Sequence, residues 1–224
     1  ADGNDYYDIT SSFEFDTFKE QYPKLNWAYD DATKQLTLLE GKYNLDKDMV
    51  IPRLKGLNFD AGVTLVISEN KSLLSYSPVN IRGTKEKPVI ITSSGTNMPF
   101  STFAILGEDN PGEKTTINWL DISGGNEKWI NGMYFSGQFS IHHMDTIINN
   151  TLVHGSKSDD GMNIKYSNTI IENSRFFDNI ADQVDLDFVK GIVKNSEFVG
   201  HSKGIGGDGL DTSGSRVLVK NNEF

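Results

Sequence analysis

Cysteine is absent from the 224 residues, which excludes a disulfide framework, a thiolate nucleophile and any zinc site built on sulfur. Long apolar runs are missing too: nothing approaches the roughly 20 residues a helix needs to cross a bilayer. No membrane span is expected. Positive charge is scarce, with 21 lysines and arginines against 31 aspartates and glutamates and a net charge of -10. No basic cluster stands out along the chain, and this argues against a nucleic-acid partner. The apolar share is only 37%, which suits a thin core shared along an axis better than a single round core. The opening Ala1-Asp2-Gly3-Asn4-Asp5 has neither the basic nor the apolar stretch of a signal peptide and reads as a mature or trimmed start.

What is present is repetition. Thr146–Val153, Thr169–Phe176, Gly191–Phe198 and Val217–Phe224 share one phrase, β-branched residues followed by Asn and an apolar residue, with Asn-to-Asn steps of 23, 22 and 26 residues. A unit of that length cannot bury its apolar face alone, so its copies must stack as a solenoid. Asn150, Asn173, Asn195 and Asn221 are expected at successive bends, where Asn tolerates left-handed backbone and its amide bonds across rungs. Val153, Phe176, Phe198 and Phe224 are expected to stack inside.

Residues 1–34 differ. Phe15, Phe18 and Tyr22 recur at helical spacing, Asp16 is placed to cap the turn and Pro23 stops it. This predicts a short helical cap on the solenoid, with residues 35–224 forming the β-helix. Strands are expected at Leu36–Leu39, Met49–Ile51, Val63–Ile67, Ser72–Leu74, Val79–Ile81 and Val89–Thr92. In the middle, Thr116–Ile122 aligns with Ile147–Val153 at a step of 31, and Asn131–Ser136 with Asp160–Lys165 at a step of 29. The excess residues must loop out, and Gly107–Lys114 is one such loop. The chain ends at Phe224 in mid-phrase, so further rungs of a longer parent, or a partner, are expected to cover that end.

A second repeat lies between the first: Asp160–Lys165, Asp182–Asp187 and Asp208–Ser213. Strand alternation sends Met162, Ile164, Val184, Leu186, Leu210 and Thr212 inward. Two outer columns follow, one of Tyr134, Asn163, Asp185 and Asp211, the other of Ser136, Lys165, Asp187 and Ser213. Asp160, Asp182 and Asp208 form a third stack at the strand entries. Like charges on neighbouring strands repel. Three compensations suit them: a bound Ca²⁺, the nearby Lys165 ammonium, or raised carboxyl pKa values. Asp has poor strand propensity, and a local misfit at a cluster is where function is sought. His142 and His143 are adjacent and should face opposite ways, which makes a joint metal site untenable.

The stretch Asp60–Ile67, followed by Ile81–Thr84 and Lys87–Ser93 and then by the later repeats, resembles secreted bacterial right-handed parallel β-helix proteins of the pectate-lyase-like superfamily. The resemblance implies an all-β right-handed parallel β-helix, a secreted or cell-surface location and a polysaccharide groove along the acidic strands. It implies a lyase or epimerase acting on an anionic polysaccharide, assisted by Ca²⁺. Such chemistry needs a group that neutralises the uronate carboxylate, a base and a proton donor. On this reading Asp185, Asp187, Asp211 and Lys165 are catalytic, Tyr134, Asn163, Lys190 and His201 contact substrate, and Asp182, Asp185, Asp208 and Asp211 hold the metal. The Gly-His-Gly and Arg-Ile-Lys motifs of polygalacturonases are missing, which counts against hydrolysis. The same family includes non-catalytic parts of bacterial surface proteins, so a surface, adhesion or spacer module is the alternative.

Overall fold

A computed structural model describes residues 4–8, 12–108, 112–201 and 207–224. The chain winds as a parallel β-helix whose rungs each contribute a strand to three sheets. The first sheet has nine strands, from Trp27–Asp30 and Gln35–Leu38 to Lys190–Lys194 and Arg216–Lys220. The second has seven, from Gly41–Leu45 to Glu197–Val199, and the third has seven, from Met49–Ile51 through Gly137–His142, Asp160–Lys165 and Asp182–Asp187 to Asp211–Ser213. All neighbours in the second and third sheets are parallel, while Trp27–Asp30 pairs antiparallel with Gln35–Leu38 in the first.

The core is a set of columns that the period-two alternation of each strand supplies. In the first sheet Leu38, Phe59, Ile81, Ile117, Ile148, Ile171, Val193 and Val219 are in register. In the second, Tyr43, Leu65, Ile91, Ile122, Val153, Phe176 and Phe198 line up. Each fully buried aliphatic or aromatic side chain contributes about 1.5–3 kcal/mol. Phe176 and Phe198 stack 5.1 Å apart, as the repeat predicts, and Phe224 continues the stack at 5.0 Å but stays exposed.

The bend into the second sheet carries the expected asparagines: Asn150, Asn173, Asn195 and Asn221 all have φ between 50° and 54°. Their amides bond toward the preceding rung, Asn173 Nδ2 to Asn149 Oδ1 at 2.9 Å and Asn221 Nδ2 to Asn195 Oδ1 at 3.4 Å. Trp119 takes the same left-handed place one rung earlier.

At the N-terminal end, helix Phe15–Gln21 lays Phe18 over the core, with Tyr22, Leu25 and Trp27 joining it. Asp16 sits in the first turn instead of capping it; Glu14 is the cap residue and makes no side-chain capping bond. Residues 4–8 leave this cap. Asn4–Asp5 pairs parallel with Lys128–Ile130, which forms a hairpin with Met133–Phe135. This hairpin roofs the outer face of the third sheet over its early strands, where Ile130 and Phe135 pack on Leu74, Tyr76 and Ala104.

The hairpin corrects one alignment. Gly137, not Asn131, opens the strand paired with Asp160–Lys165: Phe139 faces Met162 and Ser140 faces Asn163, a step of 23. The Gly-Met-Tyr-Phe of the hairpin mimics the Gly-Met-Asn-Ile of the later rung, and the true strand, Gly137–His142, lacks the acidic signature. Of the predicted loop Gly107–Lys114, residues 109–111 lie outside the described residues; Glu108 pairs with Arg53 at 2.6 Å.

Candidate functional site

Beyond the hairpin the outer face of the third sheet opens, and there the acidic repeat assembles. Asn163, Asp185 and Asp211 form one column and Lys165, Asp187 and Ser213 the next. Above them stand Ser140 and His142. Tyr134 and Ser136 do not belong to these columns, because they precede the strand. Tyr134 nonetheless returns to the site from the hairpin, stacked on Trp129 at 5.1 Å. Burial, then Glu127 and the charges of Asp159 and Asp160, push its hydroxyl up to about 12.

A hydrogen-bonded line crosses the rungs. His142 Nε2 lies 2.8 Å from Asn163 Oδ1, and Asn163 Nδ2 donates to Asp185 Oδ2 at 2.8 Å. An amide oxygen only accepts, so His142 must carry its proton on Nε2. Burial under Phe135, whose ring stacks on the imidazole at 5.0 Å, holds His142 down to about 4 and therefore neutral. The other oxygen of Asp185, Oδ1, is buried without a hydrogen-bond partner. Burial first, then the Asp187 charge, raise Asp185 to about 7, with Lys165 opposing.

Lys165 is already engaged, its Nζ 2.7 Å from Asp187 Oδ2. Burial pulls the ammonium down, but the bond and charge of Asp187, with Asp185 and Asp160 beyond, outweigh it and raise the pKa. Lys165 is thus a fixed cation at neutral pH and a poor base. Asp160 is 3% exposed. Burial raises its carboxyl to about 7, and Asp185, Asp159 and Asp182 add to the rise. The Ser136 hydroxyl opposes it from nearby without reaching hydrogen-bond geometry. Asp182 is also raised, by burial and by Asp208 and Asp211, although its carboxylate accepts the Asp208 N–H at 2.6 Å.

Two of the three compensations foreseen for stacked carboxylates are therefore in place: a lysine partner and carboxyls shifted toward neutrality. For the third, among the described residues no three His, Asp or Glu side chains converge in a metal-holding arrangement. Asp182, Asp185, Asp208 and Asp211 do not by themselves make a cage for Ca²⁺, which prefers six to eight oxygens.

Two expected contacts fall elsewhere. Lys190 opens a strand of the first sheet. His201 follows Glu197–Val199 of the second sheet, its Nε2 3.5 Å from Asp178 Oδ1. Lys190 follows the acidic strand Asp182–Asp187 in sequence, but the β-helix turns a corner there and carries it onto the first sheet, while His201 stands on the connection from the second sheet to the third.

Two features of this region went unread in the sequence. His143, Tyr166 and Phe188 follow the last residue of three successive strands of the third sheet and stack as an outer ladder at 4.7 and 4.9 Å. All three hold φ between 53° and 55°, costly for bulky side chains. Their signal was a repeat with the same 23- and 22-residue steps as the asparagines. The second is a basic patch. Lys190 faces Arg216 and Lys194 faces Lys220 on the first sheet, which corrects the expectation that no such patch exists: cations 26 residues apart become neighbours only on folding.

A scan against protein-family models finds no match to the chain, and a search of the curated proteins finds none either. Among the described residues no helix is long and apolar enough to cross a membrane.

Proposed function

We propose that the chain is an extracellular carbohydrate-active β-helix module of the pectate-lyase-like kind, bacterial and secreted or displayed at the cell surface, that acts on an anionic polysaccharide by proton abstraction, as a lyase or epimerase. One observation carries this reading: Asp185, half-buried on the outer face of the third sheet, has one oxygen held by Asn163 and the other covered and with no hydrogen-bond partner. A carboxylate so placed, near 7, is a stronger base than an ordinary aspartate and is poised to change protonation at working pH.

In this mechanism Asp185 takes the proton from the carbon next to the uronate carboxylate. The Lys165 ammonium, already facing Asp187, offsets the negative charge that develops there, and Asp187 keeps it protonated. Tyr134, protonated at neutral pH, is the donor toward the leaving oxygen in a lyase or toward the opposite ring face in an epimerase. Asn163 and the neutral His142 orient Asp185. Asp211 continues the face for substrate. Calcium enters this reading only as an ion whose site substrate carboxylates would complete beside Asp185 and Asp211, and no step runs through it.

The rival, a rigid non-catalytic surface or adhesion module, is favoured by the partly exposed aliphatic row Ile147, Ile170, Ile192 and Leu218 on the first sheet, which the acidic face does not need. Purified protein incubated with polygalacturonate and alginate, with and without Ca²⁺, separates the two. Turnover lost in Asp185→Asn supports the enzyme; a folded protein inert toward both polymers supports the module.

A further inference from the structure

In a chain of net charge -10, the outer face of the first sheet ends in a patch of opposite sign. Val193 is fully buried on the core side, so alternation puts Lys190, Ile192 and Lys194 outward, and register repeats the pattern with Arg216, Leu218 and Lys220. Lys194 is paired with Glu172 at 2.8 Å. Lys190, Arg216 and Lys220 have no ion pair among the described residues.

The geometry is that of a lined track. Cations stand in two columns about 13 Å apart, four residues along each strand. Ile192 and Leu218 lie between them, and the aliphatic row continues about 14 Å over three strand spacings through Ile170 and Ile147, which are flanked instead by Asn168 and Glu172 and by Asp145 and Asn149. Beside the second column the asparagine bend opens into a shallow trough of about 570 Å³ lined by Asn173, Asn195, Asn221, Arg175 and Glu197. A ligand matched to this face needs anions on its flanks, flat apolar surface in its middle and hydroxyls at its edge.

We propose that this face, Lys190–Ile192–Lys194 and Arg216–Leu218–Lys220 with the asparagine trough, binds a chain of acidic sugars, at a surface separate from the acidic face of the third sheet. Sugar rings present C–H faces to the aliphatic row, carboxylates or sulfates to the lysines and arginine, and hydroxyls to the amides. A bilayer fits less well, because the short isoleucines lie below the tips of the longer lysine and arginine side chains and cannot reach acyl chains past them. An acidic peptide would gain backbone partners only along the edge strand Arg216–Lys220 and none over the face of Lys190–Lys194, so polyglutamate serves as its test. The proposal concerns binding and stands apart from the proton-abstraction reading of the other face.

Binding isotherms at low ionic strength test it with the wild-type chain, the charge reversal Lys190→Glu/Arg216→Glu, the exposed control Lys34→Glu, and Asp185→Asn. The probes are polygalacturonate, dextran, polyglutamate and duplex DNA. The expected result is polygalacturonate binding that weakens with salt, falls at least tenfold in the double reversal and is kept in Lys34→Glu, with dextran not bound and polyglutamate and DNA at least tenfold weaker. Circular dichroism confirms that the reversal variant folds. The proposal is overturned if wild type does not bind polygalacturonate, if the folded reversal variant binds as wild type does, or if polyglutamate or DNA binds as tightly. Loss of turnover in Asp185→Asn with binding intact would leave both readings standing, whereas binding without turnover in wild type would remove only the enzymatic one.

Discussion

Replacing Asp160 by Asn should stabilise the protein at neutral and alkaline pH. Asp160 is 3% exposed and its carboxyl is raised from 3.8 to about 7, chiefly by burial. A group with a raised folded pKa contributes stability that is complete below its unfolded value and is lost as pH rises through the folded one. Between pH 4 and 7 the folded state therefore holds a proton that the unfolded chain has released. At about 1.4 kcal/mol per pH unit, the full effect is roughly 4 kcal/mol by pH 8. Asn keeps the shape without the charge, and the Ser156 and Ser158 hydroxyls bond to the Asp160 backbone carbonyl, which the substitution leaves in place. Asp185 acts in the same direction as Asp160. His142, lowered to about 4, opposes them between about pH 4 and 6.5, where the unfolded imidazole holds a proton and the folded one does not, so wild-type stability should fall by about 1.4 kcal/mol per pH unit from pH 5 to 6.5 and level off above pH 7. Urea denaturation at half-unit steps from pH 5 to 8 measures both proteins. Asp160→Asn should gain about 4 kcal/mol over wild type at pH 8 and only about 1.6 kcal/mol at pH 5. A variant that is less stable than wild type at pH 8, or a difference that does not change with pH, would refute the argument that a buried charge is being carried there.

Other substitutions report on the solenoid itself. Phe176→Ala removes a fully buried ring between two stacked rungs and should cost about 3–5 kcal/mol in urea denaturation. Gly191→Ala would set a Cβ 2.0 Å from the Thr169 carbonyl oxygen, so the strand must shift; a loss of about 1–3 kcal/mol is expected by the same measurement. At the asparagine bend, Asn173→Ala should cost about 1–2 kcal/mol in left-handed backbone and a lost amide bond, and Asn173→Gly should cost less because glycine adopts that backbone freely. Equal losses for the two would show that the bend is not left-handed in solution.

The parallel β-helix was legible because its evidence is periodic. Asn150, Asn173, Asn195 and Asn221 mark one bend, and the β-branched residues before them can only face one core. What escaped was whatever interrupted the period. The hairpin at Lys128–Phe135 borrowed the wording of a rung, and only packing against Leu74 and Ala104 reveals it as a roof. Asp185, Asp187, Asn163 and Lys165 were found together because register at a 22-residue step is fixed by the core columns. Lys165 reads two ways in the sequence, as a base and as an ammonium that compensates the stacked carboxylates, and its Nζ held by Asp187 favours the second. Lys190 and His201 were assigned by proximity along the chain, which fails wherever a solenoid turns a corner. His142 was set aside for its neighbour His143; its value lies in a partner 21 residues away, Asn163.

Proton abstraction by Asp185 is tested most directly by running the reaction in D₂O and following the polymer by NMR. Both chemistries in the proposal break the same bond, between carbon and hydrogen beside the uronate carboxylate. Wild type incubated with polygalacturonate and with alginate should produce either a new vinylic proton signal, from elimination, or deuterium at that carbon, from epimerisation, and Asp185→Asn should produce neither while keeping wild-type circular dichroism. Folded wild-type protein that leaves the carbon–hydrogen bond of both polymers intact, with Ca²⁺ present or absent, would contradict the account.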